Sequence, residues 1–173
     1  MDLSEEKTVI TNMREQPIKF LGFLIKAEYR RRTPGKSGDV IVGKPYPNPE
    51  KVKKQVKEIR DTLNAIRNSQ NIVNRATLIE QANAKIIGIS EYWKTSICSN
   101  AFSYIDRSVD QTAFKVMKRT YPDDYMVHKK RLSELSNRPH RHSKYQDTTW
   151  AVEVDGLWIG VTKAYITHSV TAG

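Results

Sequence analysis

Two apolar stripes at helical spacing, one on either side of a polar break at Ser99 and Asn100, constrain this chain more than any other feature. The first is Leu78, Ala82, Ile86, Ile89 and Trp93; the second is Phe102, Ile105, Val109, Ala113 and Val116. Residues three and four apart share one side of an α-helix, so each stripe is a face that must be buried. Two such faces joined by a short break bury one another. Thr77 and Glu80 stand at capping-box spacing and predict the start of the first helix. Pro122 ends the second. Gly88 interrupts the first helix, where glycine costs about 1 kcal/mol against alanine. That cost predicts a contact point between helices at Gly88.

A third helix is expected upstream. Lys44-Pro45-Tyr46-Pro47 reads as a stiff linker, Asn48 as an N-cap, Pro49 as the first helical residue and Glu50 as a favourable charge at the positive end. From there to about residue 70, Val52, Val56, Ile59, Leu63 and Ile66 form a core stripe. Lys53, Lys57, Arg60, Asn64 and Arg67 repeat the same spacing one residue later, which makes a basic ridge beside that stripe, and Lys54 widens it. A solvating face mixes signs to limit self-repulsion. This ridge carries one sign, which points to a polyanionic partner. The chain has 29 Lys and Arg against 19 Asp and Glu, a net charge of +10, and the excess is concentrated at +4 on residues 24–44 and +7 on residues 51–120.

The flanks read as β structure. Residues 20–25 are a short apolar run suited to one buried strand, with Gly22 allowing another backbone close. Tyr29 and Arg30, Arg31 and Arg32 open a basic loop that turns at Pro34-Gly35 and returns through Val40-Ile41-Val42. The arginines suit phosphate beside a stackable Tyr29. Gly35-Lys36-Ser37 is not a phosphate loop, because Arg30 stands where that motif needs its first glycine. Past Pro122, residues 125–135 read as a further short helix with Lys129, Lys130 and Arg131 exposed. Residues 149–154 alternate, Asp155-Gly156 makes a tight turn, and residues 157–161 return as a hairpin. The expected fold is mainly α: a three-helix bundle with a short N-terminal β-hairpin and a C-terminal β-hairpin. The expected divisions are 1–47, 48–122 and 123–173.

Several chemistries find no support. Cys98 is the single cysteine and reads as a small packed residue, which suits a reducing, intracellular setting. No apolar run approaches 18 residues, so no membrane partner is expected. Tyr121-Pro122-Asp123-Asp124 has the letters of a polymerase metal site. It follows an amphipathic helix rather than an apolar strand, and no earlier strand supplies a further carboxylate. His140 and His142 read as RNA-contacting or neutral residues. No catalytic residue, metal site or cofactor is expected.

Asn83, Ile86-Ile87-Gly88, Tyr92, Phe102, Ile105-Asp106, Arg119 and Pro122 together resemble the maturase-specific domain of group II intron proteins, also called domain X, the thumb of their reverse transcriptases. The family usually has Trp after the glycine and a second Tyr after the first; here those places hold Ile89 and Trp93. Leu3-Ser4, Glu6-Lys7-Thr8 and Ile10 with Phe20-Leu21-Gly22-Phe23 resemble the last block of the reverse transcriptase palm, which leads into the thumb. The resemblance implies a mobile-element protein that binds structured intron RNA and assists splicing, in a bacterial cytoplasm or an organelle. Many members of that family end in a zinc-supported endonuclease domain with paired cysteines and histidines; with Cys98 the single cysteine here, that domain is expected to be absent, as is the polymerase site. The expected RNA-binding residues are Arg30, Arg31, Arg32, Lys53, Lys54, Lys57, Arg60, Arg67, Lys115, Lys118 and Arg119. Two alternatives remain: a thumb fragment acting with a separately encoded reverse transcriptase palm, or a remnant without function.

Overall fold

The computed structural model describes residues 12–30, 40–135 and 147–165. Its centre is a bundle of three helices, α1 (Pro49–Asn68), α2 (Ile72–Trp93) and α3 (Ser99–Thr120). The links are short, so the chain runs up, down and up, and α1 and α3 point the same way. Asn48 caps α1 through a bond from Glu50 N at 3.0 Å, with Pro49 at the first position, as its sequence chemistry requires. All five residues of the α1 stripe are buried, as are all five of the α3 stripe.

The start of α2 differs from expectation. Asn71 is the cap, accepting from Val73 N at 2.8 Å and Asn74 N at 3.4 Å. Thr77 lies inside the helix and its hydroxyl donates to Val73 O at 3.1 Å. The opening turn is missed because Ile72 and Val73 are exposed, so apolar periodicity does not mark it. Ile79 is fully buried and Leu78 only partly so. Gly88 is not a helix contact: a Cβ added there would meet no atom within 4 Å.

The first sheet is antiparallel, in the order β1 (Ile18–Phe20), β2 (Phe23–Arg30), β3 (Val40–Pro47). The run expected as one strand is therefore broken. Leu21 and Gly22 form a two-residue turn with φ of 45° and 82°, both left-handed. Three bonds hold it: the Tyr92 hydroxyl donates to Leu21 O, Asn48 N to Gly22 O at 2.9 Å, and Trp93 Nε1 to the same oxygen at 3.2 Å. The Tyr92 ring lies where a Cβ on Gly22 would come within 3.2 Å, so the close neighbour is a side chain rather than a backbone. Residues 44–47, expected as a linker, are the end of β3. An edge strand tolerates both prolines, and Pro45 O accepts Ile97 N at 2.9 Å on its outer side. The turn expected at Pro34-Gly35 lies outside the described residues.

The second sheet has the order β4 (Lys129–Arg131), β5 (Trp150–Val154), β6 (Leu157–Ile159). Asp155 and Gly156, with φ of 52° and 76°, make its hairpin turn as expected. Residues 125–135 are not a helix. A 3-10 turn at Tyr125–His128 leads into β4, and a second at Leu132–Glu134 follows. The lysines of β4 are committed rather than exposed: Lys129 pairs with Asp110 at 3.4 Å and Lys130 with Glu153 at 3.0 Å, while Arg131 stacks on Trp150. Val152, Val154, Trp158 and Ile159 join the helical stripes in one continuous core.

Candidate nucleic-acid interface

The basic side chains fall into two classes. One class is paired with carboxylates of the chain itself. Arg75 holds Asp155 with two bonds, at 2.7 and 3.1 Å, Lys85 meets Glu58 at 3.5 Å, and Lys44 meets Glu28 at 3.2 Å. Lys19, Lys94, Lys129 and Lys130 also have carboxylate partners. The other class has no ion-pair partner among the described residues: Lys53, Lys54, Lys57, Arg60 and Arg67 on α1, and Arg107, Lys115, Lys118 and Arg119 on α3. Most are exposed, and Arg67 is half-buried. Surface cations left unpaired cost little in water and remain free for an external anion.

Helical phase places them. With Val52, Val56, Ile59, Leu63 and Ile66 turned inward, Lys53, Lys57, Arg60 and Arg67 fall on one flank of α1. Glu58 sits on the opposite flank, where it meets Lys85 of α2. Two acids, Glu50 and Asp61, lie in phase between Lys57 and Lys54, and Glu50 meets Lys19. Val52 and Lys53 share a cavity with Ala101 and Tyr104, so the ridge flank of α1 adjoins α3. Lys115 and Arg119 occupy the same side of α3 as Ala101. The ridge and these two side chains therefore form one basic face across two parallel helices. Lys118 leans the other way, its Nζ 5.4 Å from the Tyr125 ring centre and 5.9 Å from that of Phe114. Lys51 also lacks a partner but faces α2, in a groove with Lys85 and Tyr92.

Arg30 closes β2, about 23 Å along the strand from Phe23 at ~3.3 Å per residue. Arg31 and Arg32 lie outside the described residues, as do His140 and His142 and the residues from 3 to 10 that resemble a palm block. Lys26, which sequence reading passed over, lies on β2 four residues before Arg30. Its Nζ sits 4.9 Å from the Tyr46 ring centre, and it lines the same cavity as Lys53. Strand alternation from Arg30 would have found it. Tyr46 is itself fixed, donating its hydroxyl to Glu28. Burial and that carboxylate push the Tyr46 pKa up to about 12, and the bond holds Glu28 below its ordinary value.

Three of the residues that resemble the maturase family hold the fold together through hydrogen bonds. Asn83 bonds Trp158 O and Gly160 N, and Tyr92 clamps the β1–β2 turn. Asp106 accepts from Thr162 N and Oγ1, each at 2.7 Å, and from Lys163 N at 3.2 Å. Burial pushes the Asp106 pKa up, against the opposing pull of those bonds and of the Lys163 charge. Arg119 and Pro122 are exposed.

Asp123 and Asp124 are exposed in the turn after α3, with a 3-10 turn rather than a strand following. Cys98 is buried, which raises its thiol pKa. Among the described residues no group of three His, Cys, Asp or Glu could hold a metal ion, and no helix is long and apolar enough to cross a membrane. Comparison with curated proteins and with solved structures finds no match. Residues 56–135, from the second turn of α1 through α2 and α3 to the end of the 3-10 turn after β4, match the family model of the group II intron, maturase-specific domain.

Proposed function

We propose that this protein is a group II intron maturase module that binds structured intron RNA and assists splicing by favouring the folded form of that RNA. The observation that carries the reading is the basic face of α1 and α3: Lys53, Lys57, Arg60, Lys115 and Arg119 have no carboxylate partner among the described residues and lie within the segment, or one turn before it, that matches the maturase-specific family. Phosphate contacts of this kind position a protein on RNA and release counterions. A protein that binds the folded RNA better than the unfolded RNA shifts that equilibrium by its differential affinity, without any bond-making chemistry of its own. Specificity then comes from RNA shape, because a regular RNA helix offers phosphates and 2′-hydroxyls more readily than base edges. The test compares binding to a group II intron RNA with binding to an unrelated structured RNA of equal length, alongside intron splicing at falling magnesium. The reading expects tighter binding to the intron and splicing sustained at lower magnesium. Equal affinity with no effect on splicing contradicts it.

A second reading rests on the N-terminal hairpin. Residues 18–29 pack onto the helices through Tyr92, Trp93 and Asn48, in a stretch that resembles the end of a reverse transcriptase palm. In that reading the chain is the thumb of a reverse transcriptase whose palm is encoded separately. Co-purification with such a palm, and polymerase activity only in the mixture, supports it.

A further inference from the structure

We infer that the cavity between β2 and the first turns of α1 and α3 is a pocket for one unstacked nucleobase of the bound RNA. The inference rests on the RNA-binding reading and names a contact that reading does not require. The cavity measures about 330 Å³, within the range of roughly 300–1,000 Å³ usual for small-ligand sites. Its inner wall is apolar, built from Leu24, Pro47, Val52 and Ile97. Tyr104 lines it while remaining 47% exposed, so its ring can be reached from solvent. Every nucleobase has a π-face that such a ring can stack on.

Two further features select a nucleotide over an apolar side chain from a protein. Lys26 and Lys53 both line the cavity, one from the sheet and one from α1, and neither has a carboxylate partner among the described residues. They supply charge for the phosphates on either side of an inserted base. Asn100 also lines the cavity, is exposed, and makes no side-chain hydrogen bond among the described residues. Its carboxamide offers one donor and one acceptor, the pattern needed at a base edge. Lys53 belongs as well to the ridge on α1, so RNA lying on the helical face reaches the cavity without leaving the protein. The opposite groove at Gly88 and Tyr92 lacks this continuity, being on the α2 side of α1.

The test uses the full chain and two hairpin RNAs that differ by a single bulged nucleotide. The wild-type protein should bind the bulged RNA about tenfold more tightly than the fully paired one. Tyr104→Ala should bring the two affinities together while leaving the paired RNA within about twofold of wild type; Tyr104→Phe should retain the preference. A 2-aminopurine placed at the bulge should change its fluorescence on binding to wild type and not to Tyr104→Ala. Tyr104 lies on the outer side of α3, and a urea melt confirms that its variants fold. Equal binding of both RNAs by wild type overturns the pocket and leaves the RNA-binding reading standing. A Tyr104→Ala variant that weakens both RNAs equally also overturns it, since the ring is then a general surface contact. If the protein binds neither RNA, nor any structured RNA, the pocket falls together with the reading beneath it.

Discussion

The carboxamide oxygen of Asn83, midway along α2, accepts the backbone amide of Gly160 at 2.7 Å, and its nitrogen donates to Trp158 O at 2.9 Å. One side chain thus ties the central helix to the end of β6. The fit is close: a Cβ at residue 160 would lie 3.1 Å from Asn83 Oδ1. Asn83→Ala removes both partners and leaves the buried Gly160 N–H without this acceptor, so it should cost about 1–3 kcal/mol in a urea melt. A variant as stable as wild type would show that the second sheet docks by apolar contact alone.

Asp106 makes stability depend on pH. Its folded-state pKa is raised by burial above the ordinary value of 3.8, so over that interval the folded chain keeps a proton that the unfolded chain has released. By linkage its contribution is greatest below about pH 4 and declines as pH rises through the folded-state value. Asp106→Asn has no charge to develop. The stability difference between wild type and variant should therefore shift against wild type as pH rises, measured by urea melts at several pH values. A difference constant with pH would contradict the account of this carboxyl.

Gly88→Ala should stabilise the protein, by up to about 1 kcal/mol. Nothing lies within 4 Å of the added methyl, and the residue is exposed on a regular helix. A loss of stability of about 1–3 kcal/mol would instead report overpacking against a neighbour, contrary to the open space seen there.

The chain on its own should extend no primer on an RNA template with magnesium or manganese. Asp123 and Asp124 stand exposed after α3 with a 3-10 turn rather than a strand following, and among the described residues no third carboxylate joins them in the metal-holding set that two-metal chemistry uses. Extension that vanished in an Asp123→Ala/Asp124→Ala variant would reverse that conclusion.

How far the sequence could be read depends on where each element's signal lies. α1 was legible throughout, because Asn48-Pro49 and a five-residue stripe are local features. The β5–β6 turn was legible because Asp-Gly suits two left-handed residues. Leu21-Gly22 was not. Leucine at φ 45° is uncommon, and tertiary bonds from Tyr92, Trp93 and Asn48 hold the turn in place of local preference. β4 was missed for a similar reason: three basic residues become a strand through Asp110, Glu153 and Trp150, all distant in sequence. The candidate interface was half legible. Spacing located the ridge on α1, but only the structure separates cations without an ion-pair partner among the described residues from those paired with a carboxylate of the chain, such as Arg75 and Lys85.

That separation is the central claim, and the salt dependence of RNA affinity tests it most directly. Affinity for an intron RNA is measured over a range of salt for wild type, for Lys57→Gln/Arg60→Gln, and for Lys129→Gln/Lys130→Gln. Each phosphate contact contributes slightly less than one unit to the slope of log affinity against log salt. Removing two unpaired cations should therefore weaken binding and flatten the slope by about one to two units, while urea stability barely moves. Removing two paired lysines should leave the slope unchanged and lower stability instead. An unchanged slope in Lys57→Gln/Arg60→Gln, or equal flattening in both double variants, would contradict the assignment of the α1–α3 face as the surface that grips RNA.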